Sequence, residues 1–294
     1  MRYSTVVLLV FLTLALHAQR NGPAIKVMTY NIWNGFDWGK DTLRHDQTVD
    51  WIAGQAPDVV ALQELCGYSL DRLVADAATW GHSHVQLLKT EGYPTALTSR
   101  EPITLIEKNV EDFWHGLIHA ETYGIEFYVV HLSPADVDFR MKEASQIVDR
   151  VRGREGPFII LGDFNCHSPI DAQAMERKTA LRERRQPKED ATHNNLRLGE
   201  FDYSVMSQFL ALPALDLALG REDLTQCFTF PAPVLVGLYD HTPQSIIENR
   251  VRIDYILASP ELSKRCQLVE IFNGGVNDRL SDHYPVMAEF ELPE

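Results

Sequence analysis

The amino-acid sequence predicts a layered α/β domain, in which strands and helices alternate along the chain. Short apolar runs of strand length recur throughout, and amphipathic stretches of helical length separate several of them. A further observation is that many of these apolar runs finish in polar or ionisable side chains. Ligands of layered α/β proteins collect where core strands run out into loops, so these ends are candidate site positions.

Residues 1–18 have the pattern of a secretory signal peptide. One positive charge at Arg2 precedes an apolar run from Val6 to Leu16, and a cleavage site lies before Gln19. The run is short for a transmembrane span, and a retained N-terminal anchor is the alternative. We expect a secreted or periplasmic protein with no membrane contact after cleavage. Residues 19–294 are few enough to share one hydrophobic core, which predicts a single domain.

The predicted elements follow this leader in a regular order. A core strand at 25–30 precedes a loop at 33–39 and a helix at 41–55. The apolar spacing of that helix predicts a buried face, formed by Leu43, Val49, Trp51 and Ile52. Later elements of the first half are strands at 59–65, 95–99, 116–121 and 126–133, and a helix at 136–152.

The next strand raises the question of function most directly. A continuous apolar run at 158–161 ends at Gly162 and is followed by Asp163 and Asn165. Both polar residues favour turns, which is one interpretation, and a functional site at the strand end is the other.

The remainder of the chain contains a charged segment and then further strands. Residues 171–198 predict a surface helix and loop, whose basic side chains either steer phosphate or form a solvated face. Core-like patterning returns at 201–220. The last third predicts strands at 249–259, 268–272 and 284–290.

The net charge of −14 argues against one class of partner. Proteins that grip long nucleic acids by their phosphates present basic surface. We therefore expect no tight nucleic-acid binding, unless a local patch or a bound metal intervenes.

The cysteines have no metal-finger spacing, and Cys66 and Cys166 either form a disulfide in an exported chain or remain buried thiols.

The polar strand ends have a common chemistry. They comprise Asn31, Glu64, His131, Asp163, Asn165, Asp254, Asp282 and His283. Carboxylate and amide oxygens suit Mg²⁺, Mn²⁺ or Ca²⁺, and histidines beside carboxylates can be tuned to exchange protons near neutral pH. A divalent ion, a water-activating carboxylate and a cationic histidine together suit the hydrolysis of a phosphate ester.

Six short motifs occur in an order that resembles a known superfamily. They are TYN at 29–31, LQE at 62–64, HLS at 131–133, GDFN at 162–165, RIDYI at 252–256 and SDHYPV at 281–286. This set is similar to that of the endonuclease/exonuclease/phosphatase superfamily, which includes deoxyribonuclease-like nucleases, abasic-site endonucleases, bacterial sphingomyelinases and inositol polyphosphate 5-phosphatases. The resemblance runs from about residue 25 to the C-terminus. It implies a four-layered α/β sandwich, two central mixed β-sheets flanked by helices, in a metal-dependent phosphoric ester hydrolase.

The resemblance also implies roles for the oxygen-bearing residues. Glu64 matches the main metal carboxylate, Asn31 the asparagine that supports metal and phosphate, and Asp282 a further contributor to the metal. Asp163 matches the residue that orients or deprotonates the attacking water. Asn165 matches the side chain that holds a phosphoryl oxygen.

The histidines receive roles in the same way. His283 matches the active-site imidazole and Asp254 its carboxylate partner, although Asp254 could instead pair with Arg252 or Arg250. His131 matches a position at which some members have a histidine that contacts the phosphate or leaving group. The resemblance therefore implies a general acid at His131, and a satisfied core histidine is the alternative.

The motifs predict hydrolysis of a phosphoester, whereas the loops around the site determine which substrate is bound. Four aromatic residues either wall the pocket or pack in the core: Trp33, Phe36, Trp38 and Tyr93. The first hypothesis is a secreted Mg²⁺-dependent phosphoesterase that hydrolyses a soluble phosphomonoester or phosphodiester. The alternatives are a secreted deoxyribonuclease-like endonuclease and a non-catalytic binding module on the same scaffold.

Overall fold

The computed structural model describes residues 24–188, 191–219 and 226–292. The predicted signal peptide at 1–18 lies outside the described residues. The strands are β1 (Ala24–Asn31), β2 (Val59–Gln63), β3 (His84–Leu87), β4 (Thr95–Ser99), β5 (Thr104–Asn109), β6 (Leu117–Thr122), β7 (Ile125–His131), β8 (Phe158–Asp163), β9 (Leu196–Arg197), β10 (Glu200–Phe201), β11 (Leu215–Asp216), β12 (Asp254–Ala258), β13 (Cys266–Ile271) and β14 (Val286–Glu291). The helices are α1 (Trp33–Gly39), α2 (Thr42–Gln55), α3 (Leu70–Thr79), α4 (Val137–Val151), α5 (Ala172–Glu176), α6 (Thr179–Arg184), α7 (Ser204–Leu210), α8 (Pro243–Asn249) and α9 (Pro260–Ser263).

Two six-stranded sheets form the centre of the molecule. Their strand orders are β13-β14-β1-β2-β4-β3 and β11-β12-β8-β7-β6-β5. In each sheet one pair is parallel, β1 with β2 and β7 with β8, whereas the other pairs of the two sheets are antiparallel. Both sheets are therefore mixed, as the family resemblance implied.

The apolar side chains of the two sheets meet in a central core. Val27 and Ala61 of the first sheet belong to the same buried cluster as Phe127 and Leu161 of the second. The outer face of the first sheet packs with α2 and α3, and the outer face of the second packs with α4 and α7. The order of layers is helix, sheet, sheet, helix, which confirms the predicted four-layered α/β sandwich.

Helix α2 follows the predicted range, but its buried face is narrower than we expected. The Asp41 side chain caps the helix by accepting from the backbone N–H of Arg44. Val49 and Ile52 are buried, whereas Leu43 is 68% exposed. The inclusion of Leu43 in the buried face was wrong, because six residues at about 100° each place it far around the helix from Val49.

The segment at 33–39 forms a left-handed helical turn where we expected a loop. The φ angles from Trp33 to Trp38 lie between 51° and 62°. Left-handed turns cost L-residues about 1–2 kcal/mol each, so other contacts must hold this one. The first two backbone N–H groups donate to Asn31 Oδ1 and Glu64 Oε2, at 3.0 and 2.8 Å. A Cβ at Gly35 would overlap the Cys66 carbonyl oxygen, so glycine is required there.

Within the described ranges, every helix is too short or too polar to span a bilayer.

The state of two cysteines was left open by the sequence. Cys66 and Cys166 are separate buried thiols, so they do not form the disulfide that was one alternative.

Candidate active site

Three neighbouring strands of the second sheet place polar side chains side by side. In the pairing of β7 with β8, His131 lies opposite Asp163. In the pairing of β12 with β8, Asp254 also lies opposite Asp163. The sheet register therefore fixes three of the predicted site residues in a row, on rigid elements, with Asp163 in the middle.

The first sheet completes the site from the other side of the sandwich. Asn31 ends β1, and Glu64 follows β2 directly. The Asn31 side chain donates to Glu64 Oε1 and to Asp163 Oδ2, both at 3.2 Å. One amide thus links the two sheets at the edge where their polar ends converge.

Glu64 and Asn165 both adopt left-handed backbone conformations, with φ of 63° and 47°. Non-glycine residues in this region are strained and concentrate at functional sites. Asp163 Oδ1 accepts from the backbone N–H of Asn165 at 2.9 Å, and the Asn165 side chain donates to the Leu132 carbonyl at 3.0 Å. Asp163 therefore makes a local turn-type hydrogen bond, but its contact with Asn31 of the first sheet shows that the segment is more than a turn.

His283 lies between two carboxylates. Its Nδ1 is 2.9 Å from Asp254 Oδ2, and its Nε2 is 3.8 Å from Asp163 Oδ2. Burial opposes charge on the ring, but Asp254 and Asp163 together raise the pKa of His283 well above its ordinary value. Asp254 therefore orients the His283 ring and favours its protonated form, and the second ring nitrogen faces Asp163.

Among the described residues, Asp254 forms no ion pair with either alternative partner, Arg252 or Arg250. Arg252 lies 3.0 Å from Asp171 and 2.7 Å from Asp216, which occupies its guanidinium elsewhere. The predicted pairing of Asp254 with His283 is the one that the structure contains.

The pKa values of two further carboxylates are raised by burial and by their acidic neighbours. Burial raises the pKa of Asp163 to about 8, with His283 opposing and Asp254 and Glu64 adding to the shift. Burial likewise raises the pKa of Asp282 to about 7, and Glu64 and Asp254 again act against its ionisation. These carboxylates oppose one another's ionisation. A bound cation would stabilise their ionised forms, so the arrangement suits a cation.

His131 has a different protonation state from His283. Burial, together with the charges of His115 and His283, lowers its pKa well below the ordinary value. Its Nε2 is 3.5 Å from Asp163 Oδ2, and its Nδ1 has no hydrogen-bond partner among the described residues. The lowered pKa opposes protonation of the ring, and the general-acid role that the resemblance implied stays a prediction.

A third histidine, His115, was missed by the sequence reasoning. Its ring stacks on His131 with centroids 4.0 Å apart, and burial lowers its pKa to about 4. Tyr93 contacts His115 edge-on, and Trp38, which is 50% exposed, contacts Tyr93. The sequence offered only a weak signal, the position of His115 directly before the predicted strand at 116–121.

The four aromatic candidates fall into two groups, those beside the site pocket and those in the hydrophobic core. Phe36 is 1% exposed and packs with the first sheet, so it belongs to the core. Trp38 and Tyr93 belong to the aromatic row that ends at His131, and Trp33 lies under the Arg44 guanidinium. Aromatic side chains are therefore available beside the site, although the sequence could not separate the two groups.

The donor set fits a divalent ion. Asp163, Asp254 and His283 offer ligand atoms within 4.8 Å of one another. The charged His283 is a poor ligand, since its Nδ1 is already hydrogen-bonded to Asp254. Glu64, Asn31 and Asp282 offer further oxygens, and their hard chemistry suits an ion such as Mg²⁺.

Comparison with known proteins gives a consistent result. No curated protein sequence gives a significant match. The solved structures with similar folds include an AP endonuclease from Archaeoglobus fulgidus, which is 20% identical, covers 91% of this chain and 100% of its own, and has a TM-score of 0.67. A 3′-5′ exonuclease, NExo, from Neisseria meningitidis has 21% identity, the same coverage and a TM-score of 0.65.

A third structure is that of the 3′ phosphatase NExo from Neisseria bound to a product DNA hairpin, with 22% identity, coverage of 91% and 100%, and a TM-score of 0.64. At these identities the three structures show a shared fold. The sequence matches the model of the Endonuclease/Exonuclease/phosphatase family over residues 28–283. The chain belongs to that family, and it is a divalent-metal-dependent hydrolase of phosphoester bonds.

Proposed function

We propose that this protein is an exported, Mg²⁺-dependent phosphoesterase that cleaves a soluble phosphomonoester or phosphodiester by in-line attack of water. The observation that carries the proposal is the position of Asp163. Its carboxylate lies at the junction of the two sheets, between the Asn31 amide and the rings of His131 and His283. Mn²⁺ and Ca²⁺ are the alternative ions, since each accepts the same oxygen donors.

The metal end of the site would be formed by Glu64, Asn31 and Asp282. When bound, the ion withdraws charge from the phosphoryl oxygens. The backbone N–H of Asn34 and the Asn31 side chain each donate to the Glu64 carboxylate, which fixes the direction of its oxygens. These hydrogen bonds pre-organise the carboxylate before any ligand arrives.

Asp163 would orient and deprotonate the attacking water. Burial raises its pKa to about 8, so its proton affinity is far better matched to general base catalysis near neutral pH than that of an exposed aspartate. Its Oδ2 is held by Asn31, and its Oδ1 accepts from the Asn165 backbone. The carboxylate is thus fixed in direction, which in-line attack requires.

His283 would stabilise charge on the phosphoryl group. The Asp254 carboxylate holds Nδ1, so the protonated Nε2 is directed towards the Asp163 side of the site. His131 and Asn165 would add hydrogen bonds to the substrate, and the side chain of Asn165 would first have to leave the Leu132 carbonyl. These donors act where negative charge develops in the transition state.

The substrate is proposed from charge and from the site surroundings. A net charge of −14 disfavours tight binding of a polyanion. A deoxyribonuclease-like endonuclease remains the second candidate, because one similar structure is a phosphatase bound to a DNA hairpin. A non-catalytic module is disfavoured, since the carboxylates and histidines of the site converge with specific geometry.

The substrate class is tested by parallel hydrolysis assays. p-Nitrophenyl phosphate, bis-p-nitrophenyl phosphate and supercoiled plasmid are incubated with Mg²⁺, with Mn²⁺, with Ca²⁺ or with EDTA. We expect metal-dependent turnover of a small ester and slow or no nicking of the plasmid. Rapid plasmid nicking that His283→Ala abolishes would overturn the preference for small esters and establish the nuclease.

Export is proposed from the predicted signal peptide alone. Expression of the full chain in a bacterial host should deliver a product that begins at Gln19 to the periplasm or the medium. Mass spectrometry of the N-terminal peptide measures this directly. Retention of residues 1–18 on membrane-bound protein would support the anchor instead.

A further inference from the structure

A cavity of about 650 Å³ lies outside the catalytic centre, between the segment at 171–181 and the segment at 247–252. Its volume is within the range of small-molecule sites. We call it the basic pocket, and the side chains used below are Lys178, Phe228, Ile247, Arg250 and Val251.

Arg250 supplies one positive charge to this pocket. Its guanidinium lies over the Phe228 ring at 4.1 Å from the centroid. Its Nε is buried and has no hydrogen-bond partner, and no carboxylate of the described residues lies within ion-pair distance of it. A buried N–H without an acceptor is destabilising, so this N–H is available to an acceptor group that enters the pocket.

Lys178 adds a second positive charge. Its Nζ donates to the Glu248 carbonyl at 3.2 Å, and burial together with the charge of Arg250 lowers its pKa. The two cations therefore repel each other across the pocket. An anion that contacts both would remove this repulsion.

The carboxylates that line the pocket are engaged elsewhere. Asp171 forms an ion pair with Arg252 at 3.0 Å. The Glu248 carboxylate accepts from the Gln244 side chain at 2.8 Å. Neither carboxylate lies within 4 Å of the Arg250 guanidinium or the Lys178 ammonium.

The pocket adjoins the catalytic centre without containing its residues. Val251, which lines the pocket, pairs with Phe230 through a β-bridge. The Phe230 ring lies 4.8 Å from the His283 ring. One pair of residues therefore separates the pocket from the proposed catalytic imidazole.

We propose that the basic pocket binds a phosphate group carried by a small organic molecule. The Arg250 guanidinium and the Lys178 ammonium would hold the phosphate, since both groups recognise it through charge-assisted hydrogen bonds. The apolar wall of Phe228, Ile247 and Val251 would receive the organic part. The phosphate could belong to the remote end of a bound substrate or to a free phosphorylated molecule, and the test separates these sources.

The binding test uses calorimetric titration of the full chain with adenosine 5′-monophosphate and with inorganic phosphate, in EDTA. EDTA removes divalent ions, so the catalytic centre is not expected to retain phosphate. We expect Arg250→Gln and Lys178→Gln each to weaken binding about tenfold or more. Arg250→Lys should recover part of the affinity. Arg265→Gln is the matched control, because Arg265 is half-buried and lies outside the pocket.

Two results would overturn the proposal. The first is wild-type protein that binds neither probe at millimolar concentration. The second is binding that survives in both pocket variants but is lost in His283→Ala, which would place the ligand at the catalytic centre. Thermal melting of each variant verifies that the protein is folded, so that loss of binding reports on the pocket.

A kinetic comparison then identifies the source of the phosphate. For a substrate with a second, remote phosphate, Arg250→Gln should raise KM with little change in kcat if the pocket holds that group. If KM is the same as for wild type while nucleotide binding is lost, the pocket serves a free phosphorylated molecule. The binding measurement does not depend on turnover, so it stands even if the proposed function fails.

Discussion

The Asp163 side chain is surrounded by polar side chains from the ends of neighbouring strands. Asn31 donates to it, His131 and His283 direct ring nitrogens towards it, and Asp254 lies opposite it in the sheet. An ionised carboxylate in this position is costly to bury without a cation. The ionisation of Asp163 should therefore affect both the stability of the fold and the binding of the metal.

The stability of the metal-free protein should depend on pH through Asp163. Its pKa in the folded protein is about 8, above the ordinary value of 3.8, so the folded state holds a proton that the unfolded chain releases. Stability from this group is therefore lost as pH rises from about 4 to 8. Between pH 5 and pH 8 in EDTA, wild type should lose unfolding free energy relative to Asp163→Asn, by on the order of a few kcal/mol.

Urea unfolding at the two pH values measures this difference. Saturating Mg²⁺ should stabilise wild type at pH 8 and largely remove the loss, because the ion favours the charged carboxylates. Parallel pH profiles of wild type and Asp163→Asn in EDTA would contradict the account of Asp163.

Glu64 should control the requirement for metal. Glu64→Gln retains the shape of the side chain and one acceptor oxygen for Asn31 or Asn34, but removes the negative charge. The Mg²⁺ concentration for half-maximal rate should therefore rise by at least about tenfold. The exposed Glu111→Gln is the matched control. An unchanged Mg²⁺ midpoint with a lower kcat would instead give Glu64 a role in the chemical step.

Sequence reasoning identified candidate site residues in short motifs at strand ends, and the structure brings most of them together. It could not find the protonation states, because the neutral ring of His131 and the charged ring of His283 depend on burial and on side chains distant in sequence. It also missed His115, whose role beside His131 arises from ring stacking across the fold. Local patterns identify such groups only as polar residues near strands.

At the scale of elements, strand β8 passes close to β7 at a position that requires glycine. Gly162 has a φ of 141°, and a Cβ there would overlap the carbonyl oxygen of Val130. The close approach brings the end of β8, and with it Asp163, against β7. The glycine that interrupts the apolar run is therefore part of the site's support.

Gly162→Ala should be strongly destabilising, by at least about 2–3 kcal/mol, because both the backbone angle and the available space oppose a side chain. Gly54→Ala is the control, since Gly54 lies in α2 with no atom near the position of its Cβ. That change should stabilise the protein by about 0.5–1 kcal/mol. Urea unfolding of both variants measures the contrast, and equal midpoints would refute the role of Gly162.

The elements that the sequence predicted share a strong local signal. Continuous apolar runs such as 158–161 and a capped amphipathic helix such as α2 are determined by their own residues. The left-handed turn of α1 is not, since it depends on hydrogen bonds from Trp33 and Asn34 to side chains in β1 and beyond β2. Strands β3 and β5 were also missed, because their residues are mostly half-buried or exposed and lack a buried run.

At the scale of the whole molecule, the sandwich places the polar ends of two sheets against each other. Neither sheet alone contains the site, since Glu64 and Asn31 come from the first sheet and Asp163 and Asp254 from the second. The order of motifs predicted this arrangement through the family resemblance. Composition and spacing alone predicted only a layered α/β domain.

The net charge of −14 and the local charge of the molecule act in different ways. The overall field disfavours long polyanions, whereas the basic pocket concentrates Lys178 and Arg250 in one place. A protein with this distribution should prefer substrates with few phosphates over a duplex. The preference should be greatest at low ionic strength, where screening is least.

The most direct test of the central claim is steady-state hydrolysis of bis-p-nitrophenyl phosphate in Mg²⁺ by wild type, Asp163→Asn and His283→Ala. We predict that each substitution lowers kcat by at least about a hundredfold while circular dichroism and thermal melting show a folded protein. Arg265→Gln, which lies away from the site, should retain wild-type turnover. Wild-type rates in either Asp163→Asn or His283→Ala would contradict the assignment of water activation and charge stabilisation to this centre.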